Sequence, residues 1–72
     1  MLGPITLRRA REQAGLSREA LARRAQVSVR TIYRIEHDLT TPRRPTTIVL
    51  AMALGRRSAD IAWPSGSVDR VA

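Results

Sequence analysis

Apolar residues recur along this chain at helical rather than alternating spacing, and small capping residues divide them into short runs. Leu7, Ala10 and Ala14 fall at i, i+3 and i+7, with Thr6 placed to cap the start and Gly15 to close the end. Ser17 heads a second run, with Glu19 in its first turn where a negative charge suits the helix dipole. Leu21, Ala22 and Ala25 line its inner face. Ser28 heads a third run with Ile32 and Ile35 as its buried stripe, and Val29 fits either that stripe or the outer face. The stretch from Leu39 to Pro45 holds prolines and no periodicity, so it reads as a loop with Arg43 and Arg44 at its tip. Thr46 or Thr47 then caps a fourth run whose apolar face is Ile48, Leu50, Ala51 and Leu54, with Gly55 as terminator. Ser58 caps a last short helix, Ala59 to Trp63, which Pro64 closes. The expectation is an all-α domain of five short helices over residues 1–63, followed by a flexible tail over 64–72.

Only Gln26 and Val27 lie between the second run and the cap of the third, which forces two short helices into a tight, steep crossing. Size limits what else is possible. A chain of 72 residues makes one small domain of marginal stability. It has no cysteine, hence no disulfide framework and no cysteine metal site, which suits the expected cytoplasmic location. No apolar stretch is long enough for a membrane span. Charge changes the picture most. All 13 basic residues are Arg, against six acidic ones, and the net charge of +7 asks for an anionic partner, of which nucleic acid is the commonest.

The stretch GLSREALARRAQVSVRTIYRIEHDLTTP resembles the helix-turn-helix core of the phage repressor and Cro (XRE-like) DNA-binding family. Gly15, Leu16, Ser17, Glu19, Leu21, Ala22, Val27, Ser28, Ile32, Ile35, Glu36, Pro42, Ala51, Ala53, Leu54 and Gly55 fall in register with that family's pattern. The likeness runs from Leu7 to Trp63. It implies a lambda-repressor-like domain and a transcriptional regulator that binds double-stranded DNA. It also implies that Arg11 pairs with Glu36. Four residues depart from the pattern. Gln26 stands where the turn usually has Gly, Arg18 replaces a Gln, and His37-Asp38 replaces an Asn-Gly or Arg-Gly turn.

Burying Ile32 and Ile35 leaves Val29, Arg30, Tyr33 and Arg34 on the outer face of a recognition helix spanning 28–37. Arg30 and Arg34 are i, i+4 partners on a face narrow enough for a major groove about 12 Å wide. An arginine bonds the O6 and N7 of guanine with two parallel hydrogen bonds. Val29 is placed for a thymine methyl, and Tyr33 for a base edge or a phosphate. Ser17, Arg18, Ser28 and Thr31, at two helix N-termini, are candidate phosphate contacts, although both serines are equally ordinary caps. Arg43 and Arg44 either follow the phosphate backbone or enter the adjacent minor groove. Arg23 and Arg24 read as solvated surface.

So small a reader is expected to act as a homodimer on a palindromic or pseudo-palindromic site, with Ile61, Trp63, Val68 and Val71 as apolar candidates for the contact. Trp63 is equally suited to plug the core. Catalysis finds no support: there is one histidine, no cysteine, no lysine and no Gly-rich phosphate loop. No cofactor, metal or membrane partner is expected. An antitoxin-like or adaptor module acting through protein contacts is the alternative.

Overall fold

Thr6 opens the first helix by accepting the Arg9 N–H on its side-chain oxygen at 3.1 Å, and Ser17 and Ser28 do the same for Ala20 and Thr31 at 3.0 Å each. These caps set the starts of α1 (Leu7–Gln13), α2 (Arg18–Ala25) and α3 (Val29–Glu36) in a computed structural model that describes residues 3–65. A fourth helix, α4 (Arg44–Ala53), follows the proline-bearing loop. After it come a single 3-10 turn, Ser58–Asp60, and a two-residue strand.

All four helices end the same way. The residues after them, Gly15, Gln26, Asp38 and Gly55, have φ of 73°, 59°, 58° and 70°. In each case the next residue donates its N–H back into the helix: Leu16 to Arg11, Val27 to Ala22, Leu39 to Arg34 and Arg56 to Ala51, at 2.8–3.1 Å. This is the Schellman closure, which satisfies carbonyls the helix itself leaves open. Two of the four closures use glycine. The other two place a side chain in the left-handed region, and Asp tolerates that better than Gln because its short polar group bonds locally.

The core is one cluster. Leu21 from α2, Ile32 and Ile35 from α3 and Leu50 from α4 are its largest fully enclosed side chains. Leu7, Ala10, Ala22, Ala25, Ala51 and Ile61 complete it. α2 packs on both α3 and α4, so the middle of the chain forms the body and α1 closes one side.

Three expectations need correction. The fifth helix is instead the 3-10 turn followed by β2 (Ile61–Ala62), which pairs in parallel with β1 (Ile5–Thr6), Ile5 opposite Ile61 and Thr6 opposite Ala62. Two residues are too few for any alternation to show in sequence. The fourth helix starts at Arg44, with Arg43 rather than Thr46 or Thr47 at the N-cap position, no side-chain cap bond, and Pro45 in its first turn. Proline is at home there because the missing N–H has no partner within the helix. Ile48, expected inside, is exposed together with Val49 and Met52, because Leu50 and Ala51 already face α2 and the core.

Of the apolar residues considered for a dimer contact, Ile61 is buried and therefore not available. Trp63 packs against the core and donates its indole N–H to the Ser58 carbonyl at 2.9 Å, as a plug does. Val68 and Val71 lie outside the described residues, as does the tail from residue 66 onward.

Candidate nucleic-acid interface

Ser28 ends the tight turn and α3 begins one residue later, so the orientation of α3 is set by Gln26 in its left-handed conformation and by the buried pair Ile32 and Ile35. With those two isoleucines turned inward, Val29, Arg30, Tyr33 and Arg34 are all exposed. Arg30 and Arg34 have no ion pair and no side-chain hydrogen bond among the described residues. The helix is one residue shorter at each end than the expected 28–37, with Ser28 and His37 as its caps.

Behind that face stands a polar network. Arg11 donates from Nε to Oε2 of Glu36 at 2.6 Å, from Nη2 to Oε1 at 3.2 Å and from Nη1 to the Leu16 carbonyl at 2.9 Å. The expected Arg11–Glu36 pair is thus present, and three arginine nitrogens are committed inside the domain. The Arg11 side chain is only 11% exposed. The Glu36 side chain is 1% exposed. Burial alone pushes its carboxyl up, but hydrogen bonds from Arg11 and then Arg18, with their charges, outweigh that and hold it below the ordinary glutamate range. The bond to Glu36 in turn raises Arg11, against the opposing effect of burial.

Arg18 is the part that sequence reasoning did not resolve. Its Nε donates to Oε1 of Glu36 at 2.9 Å, and its Cζ lies 5.4 Å from the centroid of the Tyr33 ring. The Tyr33 ring also meets the His37 ring, with centroids 4.1 Å apart and planes inclined at 35°. The i, i+4 spacing of Tyr33 and His37 was a readable signal for the second contact. Nothing in the spacing of Arg18 and Glu36 signals the first.

The hydroxyls at the helix starts are already employed. Ser17 and Ser28 accept N–H groups as caps, and the Ser28 and Thr31 hydroxyls are hydrogen-bonded to each other at 2.8 Å. Arg43 and Arg44 are exposed at the start of α4. Thr31, Arg34, Thr40, Pro42, Arg43 and Thr46 contribute to the walls of one cleft between the end of α3 and that start, so cations from both sides face the same space. Arg23 and Arg24 are exposed on α2.

The family profile described as "Helix-turn-helix domain" matches residues 5–63, from the first strand to the tryptophan. The chain belongs to the helix-turn-helix domain family. No curated protein and no solved structure matches it. In a helix-turn-helix domain the second helix of the motif is the one presented outward, and here that helix is α3. Among the described residues no helix is long and apolar enough to cross a membrane. Nor, among the described residues, is any group of three or more His, Cys, Asp or Glu placed to hold a metal ion.

Proposed function

We propose that this helix-turn-helix protein is a sequence-specific, double-stranded DNA-binding transcriptional regulator of the phage repressor and Cro (XRE-like) type, acting in the cytoplasm. One observation carries the reading: α3 displays Arg30 and Arg34 on one exposed face, unpaired among the described residues, in a chain of net charge +7. α3 enters the major groove with Arg30 and Arg34 on guanine edges, Val29 on a thymine methyl and Tyr33 on a base edge. Arg43 and Arg44 follow the phosphates beside the cleft, and Ser17, Arg18, Ser28 and Thr31 approach phosphates at the starts of α2 and α3. A homodimer places two copies of α3 about one DNA turn apart on a palindromic or pseudo-palindromic site.

Selection of bound sequences from random duplexes tests this. A two-fold symmetric consensus supports both the reading and the dimer, and loss of that consensus in Arg30→Ala/Arg34→Ala assigns the face. A chain that selects no duplex sequence removes the reading. The antitoxin-like or adaptor alternative is favoured by the exposed Ile48, Val49 and Met52, the last 70% exposed. It predicts protein binding that survives the double arginine substitution.

A further inference from the structure

Arg18 is held at two points. Its Nε is fixed by Oε1 of Glu36 at 2.9 Å, and Glu36 is itself immobilised by Arg11 and almost fully enclosed. Because a guanidinium is planar and rigid, fixing Nε fixes the whole group, and its Cζ then stands 5.4 Å from the Tyr33 ring centroid. Tyr33 is otherwise an exposed side chain on the outer face of α3, and an exposed tyrosine is ordinarily free to change rotamer. Here it meets a guanidinium and the His37 ring at once, and both contacts rest on the Glu36 end of α3. The attraction between a cation and an aromatic face gives the first contact its direction.

We propose that Arg18 is a positioning residue for sequence selection: anchored by Glu36, it sets the Tyr33 ring before DNA arrives, so that Tyr33 restricts the base-pair step beside the one contacted by Arg30 and Arg34. This rests on the reading of α3 as the groove-facing helix. A ring ordered in advance does not have to be immobilised on binding, and a ring held in one place rejects the wrong step more sharply than a mobile one. Lysine in place of Arg18 keeps the charge beside Glu36. Its compact ammonium lacks the planar fork that serves Glu36 and Tyr33 together.

The test uses the full chain carrying Arg18→Lys, Tyr33→Leu, or both, after a thermal melt has established that each is folded. Affinity is measured for the duplex selected from the random pool and for a scrambled duplex of equal length. Arg18→Lys is expected to narrow the ratio of the two affinities by about three- to tenfold, and to narrow it no further once Tyr33 is leucine. Tyr33 is the only tyrosine in a chain without phenylalanine, so its ring protons are identifiable by NMR, and they shift in free Arg18→Lys. An unchanged ratio, an equal loss in the Tyr33→Leu background, or unshifted ring protons overturns the proposal. Arg30→Ala/Arg34→Ala separates this from the larger reading. If that variant loses selection while Arg18→Lys does not, only the positioning role fails; if it keeps selection, the groove assignment fails, and the ring spectrum still decides whether Arg18 orders Tyr33.

Discussion

Arg11 and Glu36 meet through two hydrogen bonds, 2.6 and 3.2 Å, that join the first helix to the last residue of the third. Glu36→Ala strands two arginines at once, one of them only 11% exposed. Breaking a buried pair by removing one partner costs about 3–5 kcal/mol, which rivals the whole stability of a domain this small. Chemical denaturation should find Glu36→Ala largely unfolded and Arg11→Ala close behind. Arg18→Ala should lose only about 1 kcal/mol, since Arg18 is partly exposed and Glu36 keeps Arg11.

Acid should unfold the protein through the same carboxylate. Glu36 is held below its ordinary value in the fold, so its contribution is complete above the unfolded-state pKa, about 4.3. That contribution is lost as the pH falls through the lower, folded-state value. Melting temperature should therefore hold near neutral pH and drop steeply below about pH 4. In Glu36→Gln, assayed where it remains folded, the acid slope should be shallower.

The turn between α2 and α3 carries a cost that glycine would relieve. With Gln26 at φ 59°, Gln26→Gly is expected to stabilise by roughly 1 kcal/mol, or about 4–8 °C in melting temperature. The gain at Asp38→Gly should be smaller, since Asp is better suited to that conformation. A differential melt of the two variants ranks them, and an equal gain would place the strain elsewhere.

Salt dependence should divide the arginines by role. Each phosphate contact contributes about 0.9 to the slope of log affinity against log salt. Arg43→Ala and Arg44→Ala should each flatten that slope by about this amount while leaving the preferred sequence intact. Arg30→Ala and Arg34→Ala should relax the preference at particular base pairs. Titrations over a salt series on selected and scrambled duplexes separate the two patterns.

How far the sequence discloses these arrangements depends on the range of the interaction. Thr6, Ser17, Ser28, Gly15 and Gly55 act on backbone groups within a few residues, and all five take the cap or closure roles their chemistry suggests. Ile32 and Ile35 follow from periodicity. Pro45 misleads because proline marks a loop and the first turn of a helix alike, and only the surrounding packing decides between them. The parallel pairing of Ile5 with Ile61 joins distant segments too short to carry a pattern. Arg18 is hidden for a related reason: a long flexible side chain finds its partner only after α2 and α3 have crossed, so its bond to Glu36 belongs to the tertiary fold. Arg11 and Glu36 were expected together only because the chain resembles a family in which such residues pair.

The two-residue strand pair also sets what can be done with the backbone. Ile5 lies directly beside Ile61, so the first and last described segments run side by side on one flank of the domain. Because the strands are parallel, Gly3 and Ser65 lead away from opposite ends of the pair, so a glycine-serine bridge would have to run back along it, and new ends could be opened in the exposed stretch at Thr41 without cutting a helix. Such a circularly permuted chain would retain the order of α2 and α3, and its two ends would emerge next to the cleft flanked by Arg34 and Arg43. A reporter fused there would sit beside the proposed DNA contact.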